Sequence, residues 1–332
     1  MKNCHIHRRM FLKSLGIAPA LCYAPQLLAA DTKPLPLTLY GPPVVPTLLL
    51  GVAQQQGRLK DSQPFAVKVW NNPDQLRAGL ANRSIEASIV PSYTAANLAA
   101  RKQGVKLINI MTTGMLNIIA RDHTIDGIEG LAGKKIVMPF KNDMPDLVLQ
   151  ALCRRLKIPF ARLQVQYTAT PPEALMTFLQ KRADFALLPE PMVSMAVIRG
   201  KQMGQNIVRA LDMQKMWEQT VGGKSGIPMA GLMVSDTFFN QNRNALKTLQ
   251  QDLQQAAVWA NSHPKEAAAI GGKLLTAVPV PALQAAIPHS RLTAISAKNM
   301  ADDILSFFKE LHSLNPAIVG GKIPDSSLFA AL

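Results

Sequence analysis

The chain has 332 residues, of which 48% are hydrophobic and 5% aromatic, and its formal net charge at pH 7 is +15. Its lysines and arginines are scattered, and its aromatic residues are too few to alternate with them, so the composition argues against a nucleic-acid-binding protein. A length of about 300 residues beyond the N-terminal segment exceeds one ordinary hydrophobic core, and two lobes are therefore expected.

The N-terminal segment, residues 1–30, has the pattern of an export signal. Two arginines, a methionine and a Phe-Leu-Lys triplet occupy positions 8–13, and an uncharged run interrupted by two prolines follows at 15–30. The run is shorter than the roughly 20 apolar residues of a membrane span; a membrane anchor and a merely basic N-terminus are the alternatives. The arginine pair resembles the twin-arginine signal, which exports folded proteins. We therefore expect export by the twin-arginine machinery, cleavage near Asp31 and a periplasmic location. The net charge then falls to +11, because residues 1–30 contain four basic and no acidic residues.

After the signal, strand-like and helix-like segments alternate. Short apolar segments bounded by turn residues predict strands at 36–40, 65–70, 85–90, 105–111, 116–121, 135–139, 163–167, 185–188 and 230–234. Apolar residues at helical spacing, together with capping residues and prolines, predict helices at 47–56, 92–104, 143–157, 191–200, 244–262 and 296–314, and from 73 and 171 onward. This order predicts an α/β protein with mainly parallel sheets flanked by helices, followed by an almost entirely helical tail. No later stretch is apolar enough to cross a membrane.

Motifs for catalysis and metal binding are absent from the sequence. The four histidines beyond the signal are isolated, and there is no Cys-x-x-Cys or His-x-x-x-His pair, Walker loop, G-x-S-x-G or G-x-G-x-x-G motif. Cys153 is the one cysteine beyond residue 30, so an internal disulfide is excluded, and its apolar neighbours predict a core position. We therefore expect no catalytic residue, no metal and no cofactor.

Aromatic and polar residues follow several predicted strands at their C-terminal ends, where open α/β sheets bind ligands. These loops lead into helix N-termini, whose free N–H groups suit a carboxylate, a sulfonate or another polar ligand end. The candidate ligand-binding residues in these loops are Tyr40, Pro42, Trp70, Asn72, Ser92, Tyr93, Asn142, Asp143 and Glu190. Trp70 and Tyr93 are favoured as rigid pocket walls, whereas Asn72 and Ser92 have the alternative role of ordinary helix caps.

Glu190 lies between Pro189 and Pro191, where a predicted strand meets a predicted helix. One interpretation is structural, because a carboxylate at a helix start is stabilised by the helix dipole. The other is that it faces a cleft and stabilises the closed form around a ligand. The two prolines fix its direction, which a cap does not require, and this favours the cleft.

Six segments occur in a characteristic order. They are TLLLGVAQQQGRL (47–59), GLANRSIEASIV (79–90), GLAGKKIVMP (130–139), LLPEPMVSMA (187–196), SHPKEAAAI (262–270) and IVGGKIPDSSLF (318–329). Their order and spacing, over residues 35–330, resemble the periplasmic substrate-binding proteins of ABC importers. The group that they resemble is the nitrate/sulfonate/taurine and thiamine-pyrimidine-precursor-like group.

The resemblance implies a two-lobed, type II binding-protein fold with the ligand in the cleft between the lobes. Lobe one would comprise 33–113 and 229–332 and lobe two 114–228, with the tail helices returning to cover lobe one. Thr113, in the first crossover, joins the candidate ligand-binding residues. Where the group often has a Gly-Ser or Ser-Thr anion clamp, residues 141–144 are Lys-Asn-Asp-Met. That difference favours a neutral heteroaromatic, amine-bearing or mixed-polarity ligand over nitrate or a simple sulfonate.

The function implied is that of a monomeric receptor, which delivers a small organic or anionic solute to the membrane permease of an ABC importer. Two alternatives remain. One is an enzyme on the same fold, similar to the pyrimidine synthases of thiamine biosynthesis or to menaquinone-pathway enzymes. The synthases' cysteine-rich motif is absent here, and the export signal argues against both cytoplasmic classes. The other is a receptor that reports ligand occupancy to a membrane sensor protein.

Overall fold

Two β-sheets organise the residues that a computed structural model describes, 37–223 and 225–332; the export signal expected at 1–30 lies outside them. The strands are β1 (Leu37–Gly41), β2 (Phe65–Val69), β3 (Ala87–Pro91), β4 (Val105–Leu107), β5 (Asn109–Thr112), β6 (Leu116–Arg121), β7 (Lys135–Pro139), β8 (Gln164–Thr168), β9 (Phe185–Pro189), β10 (Ile207–Asp212), β11 (Ala230–Ser235) and β12 (Leu292–Ser296).

Helices cover both sheets. They are α1 (Leu48–Gln56), α2 (Leu59–Ser62), α3 (Pro73–Ala81), α4 (Ser92–Ala100), α5 (Met144–Arg155), α6 (Pro171–Leu179), α7 (Met192–Gln202), α8 (Met213–Thr220), α9 (Asp236–Gln241), α10 (Arg243–Ser262), α11 (Pro264–Gly271), α12 (Val280–Ala286) and α13 (Ala301–Leu314). Short 3₁₀ turns lie at Val45–Thr47, Ile128–Leu131, Phe160–Arg162, Ile287–His289, Pro316–Val319 and Ser326–Leu328. Within the described ranges, no helix combines the length and apolar character that a membrane span requires.

Both sheets mix parallel and antiparallel pairing. The first has the order β12–β5–β11–β3–β1–β2, with β4 paired to β11, and the second has the order β10–β6–β9–β7–β8. Pairing is parallel where β1 meets β2 and β3, and where β7 meets β8 and β9; the other ladders are antiparallel. The expectation of mainly parallel sheets is therefore correct only for these two groups of strands. Strands β6 and β11 are each the first strand after the chain has passed from one sheet to the other. Both run antiparallel to the strands that they pair with in the new sheet.

Burial along the strands follows their position in the sheets. The central strands β3, β5, β6 and β9 are buried over almost their whole length, because helices cover both faces. The edge strands β2 and β8 are only partly buried. The continuous apolar runs of the central strands made them easy to predict, whereas β10 and β12 were not expected. The predicted helix at 296–314 was too long, since Ser296 ends β12 and the helix begins at Ala301.

Two adjacent segments carry the chain between the sheets. The backbone N–H of Ile227 donates to the carbonyl of Thr113 at 2.8 Å, and that of Met229 donates to Thr112 at 3.3 Å. Gly226 has a φ of 75° there, and a Cβ on it would lie 2.3 Å from the Thr113 carbonyl oxygen. Glycine is therefore required by both conformation and space.

The tail helices do not cover the first sheet alone, contrary to expectation. Helices α10 and α11 pack on α1, whereas α12 contacts α7, and α13 contacts α4 and α5 and, through one ring pair, α8. The reason is the apolar stripe of α13, in which Phe307 meets Trp217 of α8 edge to face, with ring centroids 5.5 Å apart. The lobe limits predicted from the sequence remain a prediction.

Candidate functional site

A cavity of about 490 Å³ lies between the two sheets. Its walls come from the loops that follow β1 and β2, from the end of β3, from the segments that follow β7, β8 and β9, from the starts of α5 and α6, and from α7. Met115 and Met229, beside the passages between the sheets, and residues 277–278 of the tail complete the lining. The carboxyl ends of parallel strands from both sheets therefore meet at this cavity, the position where open α/β sheets bind ligands.

The lining is mainly apolar, since 22 of its 26 residues carry apolar side chains. Nine are prolines: Pro42, Pro43, Pro73, Pro91, Pro145, Pro171, Pro172, Pro189 and Pro191. Five are methionines: Met115, Met144, Met192, Met195 and Met229. Proline is rigid, while the unbranched thioether of methionine adapts to irregular shapes. This combination suits a ligand with an apolar body.

Four polar side chains contribute to the lining: Asn71, Asp143, Thr170 and Arg199. Asn71 and Arg199 are exposed to solvent, whereas Asp143 and Thr170 are partly buried. The Arg199 guanidinium lies against the sulfur of Met176, at 3.8 Å. Of the two charged lining residues, Asp143 is therefore less exposed to solvent than Arg199.

Four helix N-termini around the cavity, those of α3, α5, α6 and α7, are capped by the protein's own side chains, whereas α4 has no side-chain cap. The pairs are Gln75 N–H with Asn72 Oδ1 at 2.9 Å, Met144 N–H with Asp143 Oδ1 at 2.7 Å, Glu173 N–H with Thr170 Oγ1 at 3.4 Å and Ser194 N–H with Glu190 Oε2 at 3.0 Å. Prolines in the first turn of α3, α5 and α6 remove further N–H donors. The sequence predicted that free N–H groups at these helix starts suit a carboxylate, a sulfonate or another polar ligand end, and this remains a prediction; the caps and prolines reduce the number of free N–H groups.

Three of the predicted ligand-binding residues line the cavity: Pro42, Trp70 and Asp143. The Trp70 side chain is well buried, and its indole Nε1–H donates to Ser88 Oγ at 3.1 Å. This bond fixes the plane of the ring within the wall. A ligand-binding role for the three residues remains a prediction.

Seven predicted residues do not line the cavity: Tyr40, Asn72, Ser92, Tyr93, Thr113, Asn142 and Glu190. Tyr40 is partly buried and packs against the core, and Asn72 caps α3 at the surface. The buried Ser92 hydroxyl donates to the carbonyl of Pro228 at 2.5 Å, which ties α4 to the returning chain. Asn142 is exposed, with a φ of 60°. Thr113 pairs with Ile227 through its backbone, as described above.

Glu190 lies behind the cavity wall. Its side chain is fully buried, and its Oε1 accepts a hydrogen bond from Arg209 Nη2 at 2.5 Å. Burial raises the pKa of the Glu190 carboxyl, and the Arg209 charge and the Ser194 N–H offset part of that effect. Because Pro189 and Pro191 on either side do line the cavity, Glu190 anchors the wall rather than facing the ligand space.

Tyr93 and Asp143 form a hydrogen bond between the two sides of the cleft. Tyr93 belongs to α4, which follows β3 of the first sheet, and Asp143 precedes α5, which follows β7 of the second. The Tyr93 hydroxyl donates to Asp143 Oδ1 at 2.5 Å. Burial raises the pKa of Tyr93 well above its ordinary value, and the Asp143 charge and hydrogen bond raise it further. The hydroxyl therefore keeps its proton, and remains a donor, at neutral pH.

Some lining residues were not predicted. Pro43 and Phe140 lie in loops that the sequence analysis had singled out, so position in the loop was a usable signal. No sequence signal marked the five methionines as lining residues. From sequence alone, an apolar residue beside a strand cannot be told from a core residue, because the other side of the cavity comes from distant parts of the chain. No group of three or more His, Cys, Asp or Glu side chains in the described ranges is placed to hold a metal ion.

Comparison with known proteins identifies the fold. No protein family and no curated protein matches the sequence. A solved structure of an ABC transporter protein from Parabacteroides distasonis is 18% identical with a TM-score of 0.74, covering 89% of this chain and 99% of that one. The periplasmic aliphatic sulphonate-binding protein SsuA from Escherichia coli is 15% identical with a TM-score of 0.67, covering 87% and 94%.

The periplasmic nitrate-binding protein NrtA from Synechocystis PCC 6803 is 12% identical with a TM-score of 0.62, covering 84% of this chain and 81% of that one. At such identities the likeness establishes the fold. The expected two-lobed fold of periplasmic binding proteins is thus confirmed.

Proposed function

We propose that this protein is the exported solute-binding receptor of an ABC importer, and that the cavity between the sheets is its solute site. The observation that carries the proposal is the apolar cavity of about 490 Å³ at the carboxyl ends of parallel strands. It occurs in a fold shared with periplasmic binding proteins for a sulphonate and for nitrate. Its volume is in the range of sites for small organic molecules. The proposed partner is the membrane permease of the importer, and the proposed lobes are 33–113 with 229–332, and 114–228.

The lining supports binding rather than catalysis. Its titratable side chains are limited to Asp143 and Arg199, and Asp143 already accepts hydrogen bonds from Tyr93 and from its own helix. General acid–base or nucleophilic chemistry requires converging reactive groups, and this set does not supply them. We therefore assign no enzymatic activity.

A thermal-shift screen of residues 31–332 against small organic solutes, amines, sulfonates and nitrate tests the receptor proposal. A solute present at about 100 times its dissociation constant adds about 2.7 kcal/mol to the free energy of unfolding. We expect at least one solute to raise the melting temperature, with calorimetry confirming one site per chain. A screen in which no solute binds would count against the proposal.

Two buried tryptophans provide a matched test of the site itself. Trp70 lines the cavity, whereas Trp217 packs against Phe307 outside it. Trp70→Phe should weaken binding of a screened solute by about 1–2 kcal/mol through lost contact area. Trp217→Phe should lower stability without changing affinity. Equal affinities in both variants and the wild type would place the solute elsewhere.

We also propose export through the twin-arginine pathway, on the sequence pattern at residues 8–13. Replacing Arg8 and Arg9 together by lysine should leave the precursor in the cytoplasm, as measured by cell fractionation. Replacing Lys2 by arginine, which also keeps the charge, serves as the control. Undiminished periplasmic protein in the double variant would contradict this route.

A further inference from the structure

The carboxylate of Asp143 has one engaged and one available oxygen. Its Oδ1 accepts hydrogen bonds from the Tyr93 hydroxyl at 2.5 Å and from the Met144 N–H at 2.7 Å. Its Oδ2 accepts no hydrogen bond from the residues that the structure describes, and the side chain is only partly exposed at the cavity wall. An ionised carboxylate has about four acceptor positions. Oδ2 is therefore an acceptor that a bound molecule can use.

Charges near this carboxylate leave it without a close cationic partner. Lys141 lies two residues away, but its ammonium group stands over the ring of Tyr167, 5.7 Å from the centroid. Arg199, the basic residue of the lining, is exposed and lies against Met176. No salt bridge to Asp143 is formed by the described part of the chain. A carboxylate of this kind attracts donors and cations.

An anion entering the cavity would find the opposite conditions. The starts of α3, α5, α6 and α7 are capped by Asn72, Asp143, Thr170 and Glu190, and α3, α5 and α6 also have prolines in the first turn. At α4, which has no side-chain cap, the first N–H donates to a backbone carbonyl. Most of these helix starts therefore offer an oxyanion fewer free N–H groups than an uncapped helix would. An anion would also be repelled by Asp143, in a mainly apolar space where charges are screened less than in water.

We propose that the solute has an apolar body and an ammonium group that binds Oδ2 of Asp143, which makes Asp143 the residue that selects the solute by charge. This inference rests on the proposed receptor function and adds a chemical class to it. The solute would then differ in charge from the sulphonate and nitrate of the two structural relatives named above. Binding at Oδ2 also places the solute on the same carboxylate that Tyr93 holds through Oδ1.

Three indole compounds of similar size but different charge test the proposal. Tryptamine carries an ammonium group, tryptophol a hydroxyl group and indole-3-acetate a carboxylate; nitrate and ethanesulfonate complete the set. Calorimetry with residues 31–332 at pH 7 should show tryptamine binding at least tenfold more tightly than indole-3-acetate. Nitrate and ethanesulfonate should not bind.

Asp143→Asn is the informative variant, because asparagine also caps a helix and still accepts a hydrogen bond from Tyr93. It should reduce tryptamine affinity about tenfold and leave tryptophol affinity nearly unchanged. Asp61→Asn makes the same change of net charge at an exposed position of α2 and should affect neither compound.

The proposal is overturned if an anion of the set binds as tightly as tryptamine, if Asp143→Asn leaves tryptamine affinity unchanged, or if none of the five compounds binds at about 10 millimolar, tenfold above the dissociation constant of a weak 1 millimolar complex. The receptor function is judged separately, by the solute screen above. An anionic hit in that screen would support the receptor and reject this solute class.

Discussion

At the scale of single residues, the buried Glu190 carboxylate accepts hydrogen bonds from Arg209 and from the Ser194 N–H. Glu190 itself lies between Pro189 and Pro191. The prolines do reach the cavity, one on each side. The two prolines thus face the cavity, while the carboxylate between them points away from it, toward Arg209.

Glu190→Gln should lower the free energy of unfolding by about 1–3 kcal/mol, because Arg209 loses its charged acceptor in a partly buried site. Urea unfolding at pH 7 measures this without any ligand. Glu266→Gln is the control, since Glu266 is exposed in the first turn of α11 and should change stability by less than about 0.5 kcal/mol. Unchanged stability combined with weaker solute binding would indicate that Glu190 contacts the solute and would contradict its structural role.

At the scale of elements, two tyrosine–aspartate pairs lie near the start of α5. Tyr93 of α4 reaches Asp143 from the first sheet, whereas Tyr167 of β8 donates to Asp146 Oδ1 at 2.9 Å within the second. The chemistry is alike, but only the first pair joins the two sides of the cleft. The hydrogen bond to a charged acceptor is worth about 1.5–3 kcal/mol, enough to favour the arrangement with Tyr93 on Asp143 about tenfold or more over one in which the two sides of the cleft have separated.

Tyr93→Phe should therefore increase the population of open molecules, and Tyr167→Phe should not. Spin labels can be attached to Lys68→Cys and Gln166→Cys, at exposed positions of the edge strands β2 and β8. Double electron–electron resonance between the two labels then measures the distance between the sheets. The native Cys153 is buried, and burial raises its pKa to about 12, so its thiol resists labelling at neutral pH. Identical distance distributions in the two variants would show that the Tyr93 bond does not hold the cleft.

At the scale of the whole molecule, the tail joins the two sheets outside the cleft. Phe307 of α13 packs on Trp217 of α8, and Glu310 pairs with Arg155 of α5 through a 2.9 Å bond from Nε to Oε2. The second sheet therefore shares part of its core with a helix at the far end of the chain. We expect this packing to couple the stability of the two sheets.

Phe307→Ala should lower the free energy of unfolding by about 3–5 kcal/mol, because it leaves a cavity beside Trp217. We also expect tryptophan fluorescence to change at lower denaturant concentration than circular dichroism in this variant, since the sheets are less strongly coupled. Leu253→Ala is the control, as Leu253 is fully buried on α10, which packs on the first sheet. Coincident transitions in Phe307→Ala would indicate that α13 does not couple the sheets.

Helices and central strands were predictable because their signals are local. The helix at 244–262 was recognised from apolar residues at helical spacing, and the structure places it at Arg243–Ser262. The cap at Thr170 and the prolines after it marked the start of α6 in the same way. By contrast, β12 was not predicted in a tail expected to be almost entirely helical, because a five-residue strand becomes stable only through its partner β5.

The sequence by itself determined most of the alternation of strands and helices, the capped starts of α3, α5 and α6 and the loops after β1, β2 and β7, because all of these depend on residues close together in the chain. Only the tertiary structure decided that β6 and β11 run antiparallel to their neighbours, that Glu190 turns toward Arg209, and that Tyr93 meets Asp143 across the cleft. Each of these contacts joins residues far apart in sequence. Their geometry is set when the two sheets and the tail pack together, and no local pattern of side chains records it.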